Sequence, residues 1–297
     1  MGDVTGFVLP ENLVDSVRAD RSPQRDAWLA TLPRLVDEFA DRWSLAIGPP
    51  FQPGGQCAWV APASDGAGRE LVLKVAWRHD EALHEAEGLR AWDGDGTVRL
   101  YDHATDDTTS VLLLERCRPG TALGEVLPEV QQDPIVAGVL RRLWRAQGDP
   151  AQFRPLQVMC DAWATEFQER LADTPGRLDP GLARAGIRLL RTLPATADRR
   201  VLLCTDLHAG NILAADREPW LAIDPKPYLG DPTYDAVQHL LNCQQRLMAD
   251  PAGLASRMAD LLELDAGRLT QWLFARCVQE SLDHPVLREV AARLAPA

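Results

Sequence analysis

The sequence predicts an α+β chain of two lobes: a small β-rich lobe over residues 1–117 and a larger, mostly helical lobe over 118–297. Three observations carry this prediction. Four strand-like runs crowd into residues 57–116 with one helical stretch among them. After Pro119-Gly120 the texture changes to long amphipathic segments. Within those segments a polar loop, CTDLHAGNIL at 204–213, follows an apolar run and precedes a hairpin pattern.

Trp28, Leu32, Leu35, Val36 and Phe39 recur at helical spacing, so residues 1–45 read as a helical extension. CAWVAPA and ELVLKVAW, parted by a Gly-rich turn, read as strands. A helix is predicted from Asp80 to Trp92, and then two further strands, TVRLYDH and SVLLLER, flank the polar turn ATDDTT. Short strands interrupted by one helix imply a mostly antiparallel sheet with that helix packed on it. Helical periodicity then runs over 134–147, 157–172 and 180–193, and again over 234–248, 254–263, 267–282 and 284–294. Between these groups NILAA and PWLAI form a second strand pair.

Composition narrows the function classes. No uninterrupted apolar run approaches the roughly 20 residues that a membrane helix needs. The first residues, MGDVTGFVLPENLVDS, lack a basic start followed by an apolar core, so no signal peptide is expected. The six cysteines are scattered without a C-x-x-C pair, which argues against zinc and against a disulfide framework and suits the reducing cytoplasm. The net charge of −12 disfavours nucleic acid, whose binding depends on Lys and Arg. It suits a small cationic partner steered by an acidic cleft, although acidity is also a common solubility device.

The chemistry-bearing residues begin with Lys74. In LVLKV it shares a strand face with Val72 and Ala76, and an ammonium among apolar neighbours needs an acid or an anion. An edge-strand lysine with its head in water is the alternative. On the next helix Glu85, Leu89 and Trp92 stand on one face, so Glu85 would turn inward, with Glu81 a competitor one turn earlier. A strand lysine paired with a helix glutamate is the ion pair that holds ATP phosphates in protein kinases. Asp206 and Asn211 fit D-x-x-x-x-N, the spacing of a kinase catalytic loop, and a hairpin can return Asp224 to the same end. One carboxylate, one amide oxygen and ATP phosphates make a reasonable Mg²⁺ site.

Together these residues resemble the aminoglycoside phosphotransferases of the protein-kinase-like superfamily, closest in appearance to the streptomycin 6-phosphotransferase and hydroxyurea-kinase branch. LKVAWRHDEALHEAEGLRAW, VRLYDH, LLLER, DLHAGNIL, EPWLAIDPKP and GDPTYD carry the resemblance, which spans nearly the whole chain. It implies a bilobal protein-kinase-like fold and ATP- and Mg²⁺-dependent transfer of a phosphoryl group to a hydroxyl of an aminoglycoside, with antibiotic resistance as the outcome. Hydroxyurea or another small metabolite is the alternative acceptor, and a nucleotide-binding protein without turnover is the rival of another class.

By position, the resemblance gives Lys74 the α- and β-phosphates, with Glu85 orienting it. Asp206 is the catalytic aspartate, and Asn211 and Asp224 are metal ligands. Backbone near Glu115 and Cys117 would meet adenine, and Gly54 and Gly55 are candidates for the phosphate-covering loop. His208 is expected to hold the loop by a hydrogen bond. Asp231 is expected to brace the catalytic loop, to cap a helix before Pro232, or to do both at once. Asp231, Asp235, Glu280 and Asp283 are candidate contacts for a cationic acceptor. The pair Cys204-Thr205 departs from the family, where His and then Arg, Gly or Trp are usual, and puts the loop geometry in question. No membrane or nucleic-acid partner is expected.

Overall fold

The computed structural model describes residues 7–147, 149 and 151–296, the side chain of Glu81 excepted. The competitor acid Glu81 therefore lies outside the described residues. Two compact units emerge. One ends at Gly94 and resumes over Val98–Arg118; the other takes Asp95–Thr97 and runs on from Pro119.

The first unit opens with α1 (Glu11–Asp20) and α2 (Pro23–Arg42). Ser22 caps α2 by accepting from Arg25 N, with Pro23 in the first helical position. Strands β1 (Leu45–Ile47), β2 (Ala58–Asp65), β3 (Glu70–Trp77), β4 (Leu100–Thr105) and β5 (Thr109–Glu115) pair antiparallel in the order β1-β2-β3-β5-β4. The period of two divides β3 cleanly. Leu71, Leu73 and Val75 are fully buried in one core with Leu13 and Val17 of α1 and Trp28, Leu32 and Val36 of α2. Lys74 therefore points to the opposite face. Two details differ from the sequence reading. The segment 80–92 is a 3₁₀ turn over Asp80–Ala82 and then α3 (Glu85–Trp92), because His84 takes a non-helical φ of −116° and ψ of 22°. Strand β4 starts at Leu100 because Gly96 O accepts from Ala222 N at 2.8 Å, which ties Gly96 and Thr97 into the second unit.

The second unit holds α4 (Leu123–Val126), α5 (Glu129–Leu143), α6 (Leu156–Asp173) and α7 (Pro180–Thr192). Next come β6 (Val201–Leu203), β7 (Ile212–Ala214), β8 (Trp220–Ala222) and β9 (Tyr228–Gly230). The chain then forms α8 (Pro232–Asp235), α9 (Val237–Asn242), α10 (Gln244–Ala249), α11 (Pro251–Leu262), α12 (Ala266–Glu280) and α13 (Leu287–Leu294). Its core is built on α12, where Leu269, Trp272, Leu273 and Phe274 are fully buried. Helix α7 approaches α12 so closely that a Cβ on Gly186 would sit 2.5 Å from Val278 Cγ1. The expected single helix over 234–248 is three short ones; Cys243, at φ −89° and ψ 57°, separates the last two. Helix α5 starts five residues earlier than its periodicity suggests, with Pro134 inside it rather than at its head. Strand β9, which the sequence reading lacks, pairs with β6, while β7 and β8 form the expected hairpin.

Candidate active site

In the first unit, Lys74 Nζ lies 2.7 Å from both carboxylate oxygens of Glu85, and both residues are buried. Strand alternation turns Lys74 off the α1–α2 core, and the helical period places Glu85, Leu89 and Trp92 on the buried face of α3. Glu85 is also the first residue of α3, where unsatisfied N–H groups favour an acid. The edge-strand alternative for Lys74 fails: β3 is central, flanked by β2 and β5.

The loop carrying Gly54 and Gly55 is stitched to α1. Asn12 N donates to Pro53 O at 3.0 Å and Asn12 Nδ2 to Gly54 O at 2.8 Å, while Glu11 N donates to Gln52 Oε1 at 3.2 Å. Gly54 is explained locally, since its φ of +77° and a Cβ position 2.4 Å from Pro10 Cβ exclude other residues. Gly55 has open space around its Cβ position. At the end of β5, Glu115 N donates to Arg99 O and the Glu115 carboxylate accepts from Arg99 N, each at 2.9 Å. Cys117 is buried just beyond it.

In the second unit the loop after β6 is held from three sides. Asp235 Oδ2 accepts from Cys204 N at 3.1 Å and from Trp144 Nε1 at 2.9 Å, and its Oδ1 accepts from Thr205 N at 2.6 Å. His208 Nδ1 accepts from Gly210 N at 3.1 Å and so caps the 3₁₀ turn Ala209–Asn211. Burial holds the His208 imidazole below its usual pKa, so the neutral ring that this bond requires is favoured. Asn211 Nδ2 donates to Asp206 O at 3.0 Å, which commits the amide nitrogen and leaves the amide oxygen to meet a cation. Ile223 N donates to Asn211 O at 2.9 Å, so the hairpin brings Asp224 back beside Asn211. Asp224 itself has a φ of +52°. An amide oxygen and a carboxylate at one end of a hairpin are a donor set that fits Mg²⁺ when phosphate oxygens complete it. Cys204 is fully buried, and burial pushes its thiol well above the usual range, so it packs and does not attack.

Two expectations are corrected. Asp231 does not brace the catalytic loop. It caps α8 by accepting from Thr233 N at 2.9 Å, and its other oxygen takes Arg268 Nε and Trp272 Nε1, each at 2.7 Å. The brace is Asp235, four residues on. Neither acid is placed to touch an acceptor, because Asp231 is 2% exposed and Asp235 0%, and both have their oxygens engaged. Glu280 and Asp283 are already matched with cations: Glu280 with Arg276 at 2.8 Å and Asp283 with Arg170 at 2.9 and 2.5 Å.

One residue of the site was not anticipated. Lys226 Nζ donates to Asp206 Oδ2 at 2.6 Å. Its only signal in the sequence is a lysine two places after Asp224, in IDPKP.

Residues 42–282 match the family described as aminoglycoside/hydroxyurea antibiotic resistance kinase. The chain is 35% identical over 280 residues to a streptomycin 6-kinase of Streptomyces griseus, covering 92% of this chain and 90% of that protein. It is 38% identical over 263 residues to a hydroxyurea phosphotransferase of Kitasatospora aureofaciens, covering 84% and 72%. Among solved structures, a choline kinase, LicA, from Streptococcus pneumoniae superposes with a TM-score of 0.58 at 14% identity, over 89% of this chain and 95% of that one. A macrolide 2'-phosphotransferase type I gives a TM-score of 0.54 at 16% identity, over 93% and 98%. These two likenesses concern the fold, which is protein-kinase-like. The chain belongs to the aminoglycoside/hydroxyurea antibiotic resistance kinase family.

Proposed function

We propose that this protein transfers the γ-phosphoryl group of ATP to a hydroxyl of a streptomycin-type aminoglycoside and so confers resistance to it. The observation that carries the reading is the arrangement of Asp206, Asn211 and Asp224 on one loop and hairpin, in a chain 35% identical to a streptomycin 6-kinase over 92% of its length. Asp206 accepts the acceptor's hydroxyl proton. Lys74, held by Glu85, binds nucleotide phosphates. Backbone at the Glu115 carbonyl and around Cys117 meets adenine, because the Glu115 N–H is already given to Arg99. Asn211 and Asp224 hold Mg²⁺, which when bound neutralises phosphate charge as the transfer proceeds. The protein's own contribution is positioning and charge, since phosphoryl transfer asks little covalent chemistry of its catalyst. The lobe division at residue 117, the acidic balance and the cytoplasmic setting belong to the same reading.

Hydroxyurea is the second acceptor to consider, favoured by the 38% identity to a hydroxyurea phosphotransferase. ADP release with streptomycin, other aminoglycosides and hydroxyurea, run beside Asp206→Ala and Asp224→Ala, separates these readings. Turnover that depends on streptomycin and is lost in both variants is expected. Turnover that survives both substitutions defeats the mechanism, and turnover with hydroxyurea alone moves the acceptor.

A further inference from the structure

We infer that Lys226 is a second catalytic cation of this phosphoryl transfer and that Thr205 is its positioning residue, an inference that rests on the phosphotransferase reading above. Lys226 Nζ sits 2.6 Å from Asp206 Oδ2, with 23% and 20% of the two side chains exposed, so the pair is sheltered but not sealed from solvent. Its backbone is fixed at two points. Lys226 N donates to Cys204 O at 2.9 Å, and Thr205 Oγ1 donates to Lys226 O at 2.6 Å. Thr205 is in turn held by Asp235 through its N–H, is 6% exposed and has a φ of +53°. A β-branched residue in the left-handed region is an outlier that persists only where its surroundings enforce it, and such positions gather at functional sites. The unusual Cys204-Thr205 pair thus has a physical reading. Its carbonyl and hydroxyl form a clasp that sets one lysine against the catalytic carboxylate.

A cation beside a base would be counterproductive if the base had to pull strongly, because it stabilises the carboxylate. Phosphoryl transfer does not need a strong base, since the hydroxyl proton leaves late and the developing charge lies on the phosphoryl oxygens. The acceptor oxygen must stand within hydrogen-bond reach of Asp206, and the phosphorus it attacks is one bond further, so the Lys226 ammonium lies beside the group in flight. In the step, the acceptor O–Pγ bond forms as the bond from Pγ to the bridging oxygen of ADP breaks, and that electron pair leaves with ADP. The hydroxyl proton passes to Asp206 and then to solvent. Lys226 keeps its proton throughout. As Asp206 is neutralised, the ammonium turns from its carboxylate to the transferred phosphoryl oxygens, offering charge where charge appears.

The test uses the full chain with Mg·ATP, streptomycin and hydroxyurea in an ADP-release assay, with folding checked by circular dichroism. Lys226→Met is expected to lower kcat by about 100-fold while both KM values stay within about threefold, the loss typical of one electrostatic donor acting in the transition state. Lys226→Arg should recover at least part of that loss. Thr205→Val should lower kcat by about tenfold or more through misplacement of Lys226, and Thr205→Ser, which keeps the hydroxyl, should not. If Lys226→Met raises KM alone, or keeps the wild-type kcat, the inference is overturned while the phosphotransferase reading stands. A wild-type chain that turns over no acceptor overturns both. Should Lys226→Met fail to fold, Lys226→Gln and the Thr205 pair decide the matter by the same kcat criterion.

Discussion

Replacing Asp235 with Asn keeps the shape of the catalytic-loop brace and removes its charge. The carboxylate receives three N–H donors, from Trp144, Cys204 and Thr205, at 2.9, 3.1 and 2.6 Å. An amide has one oxygen, so when it faces Trp144 and Cys204 its NH₂ group confronts the Thr205 N–H. The lost charge-assisted bond is worth roughly 1.5–3 kcal/mol, and the buried orphan N–H costs roughly 1–3 kcal/mol more. An opposing contribution exists. Burial raises the Asp235 carboxyl from its ordinary 3.8 to about 6 even though all three donors pull it down. That rise corresponds to about 3 kcal/mol of strain in holding the charge, which the Asp235→Asn change relieves at neutral pH. The net destabilisation at pH 7 is therefore small, between about zero and 3 kcal/mol.

Catalysis has no such offset. A loop misplaced by about 1 Å costs on the order of 100-fold in rate, so kcat should fall far more than the melting temperature suggests. The pH dependence has a definite sign. Between about 4 and 6 the folded chain holds a proton on Asp235 that the unfolded chain has released, so ionisation weakens the native protein as pH rises through that window. The Asp235→Asn variant lacks that slope, so its deficit in urea titrations should be larger at pH 4.5 than at pH 7. A deficit constant across that range would refute the raised carboxyl, and an unchanged kcat would refute the brace.

Two further outcomes are expected. Glu85→Ala leaves the Lys74 ammonium buried without its carboxylate and should cost about 3–5 kcal/mol in urea unfolding; Lys74→Met with Glu85→Leu should recover most of that stability but not nucleotide binding. Asp133, 1% exposed, takes His239, Arg246 and Arg257; burial alone would raise its carboxyl, but these partners hold it well below the usual carboxylate range. Its contribution is therefore present above about pH 4 and lost as pH falls further, and Asp133→Ala should cost about 3–5 kcal/mol at pH 7 with much less effect near pH 2.

The parts of this molecule legible in its sequence are those ruled by a single period. Strand alternation separates Lys74 from Leu73 and Val75, and the helical repeat puts Glu85 with Leu89 and Trp92. The loop Asp206–Asn211 and the return of Asp224 follow from hairpin length. What stayed hidden depends on where periods break. Asp231 and Asp235 share the stretch GDPTYD one helical turn apart, and either could have faced the loop. The short α8, with Asp231 spent on its cap and on α12, decides for Asp235. Lys226 was hidden for another reason: a lysine after proline reads as a solvated turn residue. Only its bonds to the Cys204 carbonyl and the Thr205 hydroxyl, some twenty residues earlier, and that of its ammonium to Asp206 show that it is turned inward.

The bonds from α1 to the loop over 51–55 make two distant-looking events one equilibrium. Docking of α1 and ordering of the loop are joined by Asn12, Gln52 and the close fit of Gly54 on Pro10. By reciprocity, whatever ligand binds the ordered loop more tightly must hold α1 in place by the same factor, and a loosened α1 must weaken that ligand equally. The first helix thus becomes a built-in gauge: amide exchange along Glu11–Asp20 would report on occupancy of a loop some forty residues away, without a label at the site itself.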